Sequence, residues 1–149
     1  MKNSGVVVPA QAGFTLLELL TVVTIIGVLA AIAYPSYLGY TRRANRSDAT
    51  TSMTFMAQQL ERCYSQNFSY QGCAQVPVGN SNSRNNHYTI TLTVPAASSF
   101  TLVATPTGAA NNPQNADTDC ASFTMTSGGA QSALNGGGAD STAICWGTK

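Results

Sequence analysis

The stretch GFTLLELLTVVTIIGVLAAIAY, residues 13–34, decides the architecture of this 149-residue chain. Beyond Gly13 it is an unbroken apolar run in which Glu18 is the single charged residue. As a helix that rises ~1.5 Å per residue, such a run spans a hydrocarbon core of about 30 Å. The sequence therefore predicts a membrane-length helix near the N-terminus, with a carboxylate close to its start.

The segment before the apolar run differs from an ordinary secretory signal. In such a signal a basic region is followed by about 7–15 apolar residues and then by a cleavage site of small residues. Here residues 1–12 carry one charged side chain, Lys2, and no apolar region of that length. The small residue Gly13 precedes the apolar run, so cleavage between Gly13 and Phe14 would leave the hydrophobic helix on the mature chain.

This order of residues, Gly13-Phe14 with Glu18 four positions later and then an apolar helix, resembles the type IV pilin family, including its pseudopilin relatives. The resemblance implies that a prepilin peptidase cleaves after Gly13 and methylates the new amino terminus on Phe14. An uncleaved membrane anchor with a chance acid is the alternative interpretation.

The resemblance also implies a domain organisation and a location. The expected segments are a prepilin leader peptide (1–13), a transmembrane and filament-core helix (14–35) and a periplasmic globular pilin domain (36–149). The chain is expected in the bacterial inner membrane before assembly and in the extracellular pilus, or fimbrium, afterwards. Its expected partners are other pilin subunits through their N-terminal helices, the prepilin peptidase and the inner-membrane assembly machinery.

Glu18 has an assembly role in the family. The resemblance implies that its carboxylate pairs with the amino group of Phe14 on a neighbouring subunit, because either charge alone would be buried without a partner. Phe14 and Glu18 also lie four residues apart on one helix, so a single subunit could neutralise its own acid. Both interpretations stay open from the sequence.

Pro35 directly follows the apolar run and predicts either a kink or a helix end at the membrane surface. The pattern beyond it stays helical and favours the kink, which pilins carry at this offset. Apolar residues recur there at steps of four and three, and we interpret this stripe as core: Ala49, Met53, Met56, Leu60 and Cys63. The polar residues that lie largely off the stripe are Arg46, Asp48, Gln58, Glu61 and Arg62.

In the C-terminal half the apolar period changes from helical to two. The alternation predicts strands over 88–94, 100–104 and 123–125, and a shorter run at 143–146 is interpreted as a fourth. Clusters of Gly, Asn and Pro at 79–86, 105–116 and 127–138 are typical of loops. The predicted fold is α+β: a long N-terminal helix whose second half packs on an antiparallel sheet of about four strands, as in the type IV pilin fold.

The four cysteines, Cys63, Cys73, Cys120 and Cys145, lie beyond the membrane run and suit an oxidising compartment. Of the three possible pairings we favour the local one, Cys63 with Cys73 and Cys120 with Cys145. The second link also matches the disulfide-bounded C-terminal loop of the pilin family. A zinc site is the competing interpretation, but the chain has no Cys-x-x-Cys and one histidine.

No motif for catalysis or for a cofactor occurs in the sequence. The acids Asp117, Asp119 and Asp140 fall in predicted loops with no histidine or lysine near them in sequence, and there is no Gly-x-Ser-x-Gly or phosphate-binding glycine loop. His87 is expected on a solvated surface without a metal. We therefore predict that the protein is not an enzyme and holds no metal or cofactor.

Local details narrow the resemblance. The segments 37–43, 46–48, 60–70 and 145–146 resemble the PilE-type minor pilins and the related competence pilins. The predicted function is that of a structural subunit of a type IV pilus, minor rather than major, that serves adhesion, twitching motility or DNA uptake. The alternatives are a DNA-binding competence pilin and a type II secretion pseudopilin.

DNA binding ranks below the structural role on charge alone. The formal net charge is +1, and affinity for phosphates grows with the number of contacts. The cations expected to be exposed are Arg62, Arg84 and Lys149, because Arg42, Arg43 and Arg46 are expected near the filament core. The acids Asp117, Asp119 and Asp140 are expected to offset the exposed cations.

Overall fold

The computed structural model describes residues 13–76 and 78–147, and the chain divides into two compact units, Met1–Tyr37 and Leu38–Lys149. Each unit is described by itself. Most of the predicted leader, 1–13, lies outside the described residues, as does Lys149.

One long helix, α1 (Leu16–Asn67, 52 residues), carries the first unit and begins the second. Pro35 lies inside it, so the alternative that the helix ends at the membrane surface is wrong. Because proline lacks a backbone N–H, one hydrogen bond of the helix ladder is missing at this position. The kink at Pro35 stays a prediction.

In the first unit the apolar side chains of α1 are exposed. Its most apolar 18-residue window has a mean hydropathy of 2.5 and is 0% buried, and among the described residues this is the one helix long and apolar enough to cross a membrane. A soluble core helix would bury such side chains, so this stretch requires a lipid or protein environment.

The second unit contains a five-stranded antiparallel sheet in the order β1-β2-β3-β4-β5. The strands are β1 (Gly79–Asn82), β2 (Tyr88–Ala96), β3 (Ser99–Pro106), β4 (Ser122–Thr126) and β5 (Gln131–Leu134). A 3₁₀ turn, Pro113–Ala116, lies between β3 and β4, and a short helix, α2 (Thr142–Trp146), follows β5. Each strand pairs with the next along the chain.

The core lies where the predicted helix stripe meets the alternating strand residues. In α1 four members of the stripe are buried, and Met56 packs against them while partly exposed. The strands contribute a second buried set: Tyr88, Ile90, Leu92, Phe100, Leu102, Ala104, Phe123 and Met125. The α+β fold with a helix packed on an antiparallel sheet is therefore confirmed.

Two predicted loops and one predicted strand are wrong. The sheet has five strands, because the predicted loops at 79–86 and 127–138 contain β1 and β5. The sequence Gly-Asn-Ser-Asn of β1 has a low strand propensity, but its backbone pairs with β2 over four residues, and such context overrides propensity. The expected fourth strand at 143–146 is instead helix α2, which ends at Gly147 in the left-handed conformation (φ 69°).

Two disulfide bonds close the ends of the second unit. Cys63, near the end of α1, is bonded to Cys73, and Cys120, just before β4, is bonded to Cys145 in α2. All four cysteines are at most 6% exposed. The first bond joins the segment after α1 to that helix, and the second joins α2 to the segment before β4. Each bond restricts the unfolded chain and so stabilises the folded one.

Candidate functional site

A buried carboxylate on α1 holds the connection between β1 and β2. Asp48 is 4% exposed and accepts hydrogen bonds from the Ser83 hydroxyl, from the backbone N–H of Asn85 at 3.0 Å and from that of His87 at 3.4 Å. The Ser83 oxygen in turn accepts from the N–H of Tyr88 at 3.0 Å. The loop 83–87 is therefore fixed to the helix by a network of satisfied polar groups.

Arg84 lies in this loop and points its charge to solvent. Its backbone N–H donates to the hydroxyl of Ser52 at 3.2 Å, which gives the loop a second attachment to α1. The residue is exposed, and within residues 13–76 and 78–147 no carboxylate forms an ion pair with it. Arg84 is thus a cation on an anchored backbone, free to contact an anion.

A cavity of about 650 Å³ lies beside Arg84, between α1 and strand β1. Its lining includes the apolar residues Phe55, Met56 and Val76 and the polar residues Gln75, Asn82 and Arg84. Among residues 13–76 and 78–147, no acidic side chain is part of the lining. The volume lies within the range of small-molecule sites, roughly 300–1,000 Å³.

A second buried anchor joins α1 to the segment before β4. The guanidinium of Arg46 donates two hydrogen bonds of 2.7 Å to the carboxylate of Asp117 and one of 3.1 Å to Asp119. The side chains of Arg46 and Asp117 are 8% and 2% exposed, whereas that of Asp119 is 65% exposed. The hydrogen bond with Asp117 raises the pKa of Arg46 above its ordinary value, against the opposite effect of burial.

Gln114 extends this anchor to strand β2. It is fully buried, and its amide nitrogen donates to the Tyr88 hydroxyl at 2.7 Å and to the backbone carbonyl of Arg42 at 3.2 Å. Burial raises the pKa of Tyr88 to about 12, although the hydrogen bond from Gln114 acts in the opposite direction. The segment around the 3₁₀ turn is therefore held to both the helix and the sheet.

These contacts change the balance of surface charge expected from the sequence. Arg46 and Asp48 were expected to lie off the apolar stripe, yet both are buried, and Asp117 was counted as an exposed acid. Buried polar residues need partners, and theirs lie far along the chain. Because Asp117 and Arg46 neutralise each other, Asp117 no longer offsets the exposed cations Arg62 and Arg84.

The comparisons with known proteins agree with this fold. Residues 35–124, more than half of the chain, match the model of a family described as type IV minor pilin ComP, DNA uptake sequence receptor. The chain belongs to this family. Residues 9–34 match the prokaryotic N-terminal methylation motif. A search of curated proteins found no significant match.

The family match establishes the class and the location of this minor pilin. It is a type IV pilus subunit with a prepilin-type N-terminal motif, and its apolar N-terminal helix fits anchoring in the inner membrane followed by assembly into the pilus. The family is one of structural pilins and not of enzymes.

The predicted processing and assembly residues of the pilin lie together at the start of α1. Gly13, Phe14 and Glu18 are all exposed. Thr15 directly precedes the first residue of α1, and its hydroxyl accepts a hydrogen bond of 3.1 Å from the N–H of Glu18. This is one half of a capping box, which the sequence pattern Thr-x-x-Glu signals. The hydroxyl of Thr15 is therefore the cap of α1, and the Glu18 carboxylate lies in the first turn, where the helix dipole favours a negative charge.

His87, expected on a solvated surface, is partly buried in the pilin. Its backbone joins the Asp48 network, and its carbonyl accepts from the side-chain amide of Asn112 at 2.6 Å. Within the described residues, no group of three or more His, Cys, Asp or Glu side chains could hold a metal ion.

Proposed function

We propose that this minor pilin is a DNA-binding subunit of a type IV pilus that acts in DNA uptake. The observation that carries the proposal is the match of residues 35–124 to a family described as a DNA uptake sequence receptor. It reverses the order reached from the sequence alone, in which a purely structural role ranked above DNA binding.

The surface around Arg84 supports the proposal. Arg84 is exposed on a loop whose backbone is fixed by Asp48 and Ser52, so a phosphate contact would order little additional chain. Backbone N–H groups and arginines are the usual positioning contacts to DNA phosphates. Arg46 and Asp117 form a buried pair, so Asp117 is not one of the exposed acids of this unit.

The chain is further proposed to follow the pilin route of maturation. The leader 1–13 is removed after Gly13, Phe14 becomes the methylated N-terminus, and Glu18 pairs with that terminus on a neighbouring subunit. The methylation motif over residues 9–34 supports these steps. The helix 14–35, kinked at Pro35, then joins the filament core, and residues 36–149 form the periplasmic and later extracellular domain.

The proposed partners are therefore other pilins, the prepilin peptidase, the inner-membrane assembly machinery and DNA. The protein acts by assembly and binding and performs no catalysis of its own. The charged groups of the second unit support this, because the buried acids Asp48 and Asp117 are engaged in structural hydrogen bonds.

An affinity titration tests the proposal. The mature full-length chain in zwitterionic lipid nanodiscs is titrated into a labelled DNA duplex, and anisotropy is read at several salt concentrations. We expect micromolar or tighter binding at physiological salt. Replacing Arg84 with Gln weakens it and lowers the slope of log affinity against log salt by about 0.9, the value for one lost phosphate contact.

Arg62→Gln is the matched control, because Arg62 is also exposed but lies near the end of α1 and outside the cavity. It is expected to leave affinity and slope unchanged. If the wild-type chain does not bind the duplex, the DNA-binding function is wrong and the purely structural role is favoured.

A further inference from the structure

The cavity beside Arg84 combines an apolar interior with an accessible aromatic ring. Val76 is 4% exposed, and Met56 packs against the hydrophobic core. Phe55, in contrast, is 61% exposed although it lines the same cavity. Its ring is available for contact with a ligand, at no cost to the packing of the core.

The polar residues that line the cavity favour a negatively charged ligand. Arg84 provides a positive charge, and the remaining polar lining consists of neutral hydroxyl and amide groups, such as those of Ser52, Gln75 and Asn82. Because none of the lining residues that the structure describes carries a carboxylate, the cavity favours an anionic ligand that also has a flat apolar face and hydrogen-bonding edges.

We propose that this cavity receives one unstacked nucleobase of bound DNA. The base stacks on Phe55, the amide and hydroxyl groups meet its polar edge, and Arg84 contacts the adjacent phosphate. A nucleotide is the occupant whose parts match all three features, and aromatic side chains are the usual platforms for unstacked bases. The inference rests on the proposed function and extends it to the form of DNA that binds best.

A base can enter the cavity only after it has left the duplex. Unstacking costs free energy, and this cost is smallest for a base that is mismatched or already extrahelical. The cavity therefore predicts a preference for DNA that contains one extrahelical nucleotide over the same duplex without it.

The test compares two labelled duplexes that differ by a single extrahelical nucleotide. Both are titrated with the mature full-length chain in zwitterionic nanodiscs at one fixed salt concentration. Since stacking of one base on an aromatic ring strengthens binding by roughly 5- to 100-fold, we expect a preference of that order for the duplex with the extrahelical nucleotide.

Variants of two exposed phenylalanines test whether the preference for the extrahelical nucleotide depends on the cavity. Phe55→Ala removes the preference, whereas Phe55→Tyr keeps the ring and retains it. Phe68→Ala is the matched control, because Phe68 is 79% exposed and does not line the cavity, and it retains the preference as well. Fluorescence of Trp146 checks that each variant is folded.

The outcomes separate this inference from the proposed function. Equal affinity of the wild-type chain for the two duplexes, or a preference that survives Phe55→Ala, overturns base insertion while salt-dependent binding through Arg84 stands. If neither duplex binds, both the inference and the DNA-binding function are wrong.

Discussion

Arg46 and Asp117, 71 residues apart in the chain, form a two-hydrogen-bond ion pair with both N···O distances at 2.7 Å. The pair lies almost entirely out of water and connects helix α1 to the segment that precedes β4. Charge-assisted bidentate contacts of this kind fix geometry as well as adding free energy. In this pilin the pair also removes two opposite charges from the surface.

Breaking this pair should strongly destabilise the second unit. Arg46→Gln leaves the Asp117 carboxylate buried without its cation, for which a loss of about 3–5 kcal/mol in the free energy of unfolding is expected. Urea unfolding followed by Trp146 fluorescence measures the loss. Asp119→Asn is the control, because Asp119 is mostly exposed and should cost less than about 1 kcal/mol. Equal effects of the two variants would show that the buried pair is not the anchor.

Asp48 should control the mobility of the loop that carries Arg84. Asp48→Asn replaces a charged acceptor with a weaker one, for a cost of about 1–3 kcal/mol. Faster hydrogen exchange is expected at the amides of Asn85 and His87, together with weaker DNA binding. The neighbouring change Ser47→Ala is the control, since Ser47 is exposed and its hydroxyl donates to the carbonyl of Ala44 in its own helix. Unchanged exchange in Asp48→Asn would contradict the anchoring role.

The raised pKa of Tyr88 predicts a loss of stability at alkaline pH. Its pKa rises from 10.0 to about 12 on folding, so the neutral phenol is favoured in the folded state. The stabilisation is therefore fully present below pH 10 and is lost as the pH rises through 12. Tyr70 shows the same direction, because burial and its hydrogen bond to Glu61 raise its pKa to about 12.

Ultraviolet titration of the tyrosines measures this effect. Tyr70 and Tyr88 should ionise late, and Tyr88→Phe should remove part of the change in absorbance near pH 12. A change in absorbance near pH 12 that is the same in the wild type and in Tyr88→Phe would contradict the raised pKa of Tyr88.

Residues 88–104 show what the sequence could establish about the fold. Tyr88, Ile90 and Leu92 lie on the side of the strand that faces the core, and this produces an apolar residue at every second position. Because the pattern is local, it predicted β2 correctly. The polar strand β1 could not be found this way, because it is held by backbone pairing with β2 and not by apolar side chains.

The charged residues of the site show where sequence reasoning failed. Arg46 was expected near the filament core and Asp48 off the apolar stripe, and the sequence did not indicate that either is buried, because their partners lie 71 and 35 positions further on. A count of charges along the chain treats Asp117 as a repulsive surface group. Only the tertiary structure shows that Asp117 is paired with Arg46 and buried, so it does not belong in a count of exposed acids.

Glu18 gives a prediction that separates helix capping from assembly. Glu18→Ala and Glu18→Gln both remove the charge that is proposed to pair with Phe14 of a neighbour, so both should reach the membrane and be processed but enter pili poorly. Thr15→Ala removes the cap hydrogen bond and keeps the charge, and it should be incorporated normally. The pilin is quantified in sheared pili by immunoblot. Wild-type incorporation of Glu18→Gln would contradict the proposed pairing with Phe14 of a neighbour.

The central claim is that this minor pilin contacts DNA during uptake, and DNA uptake by piliated cells tests it most directly. Cells that carry Arg84→Gln are compared with cells that carry Arg62→Gln, at equal amounts of pili and of the variant chain. Loss of one charge-assisted contact predicts uptake about tenfold lower in the Arg84→Gln cells, with uptake unchanged in the Arg62→Gln cells. Equal uptake by both strains would contradict the account.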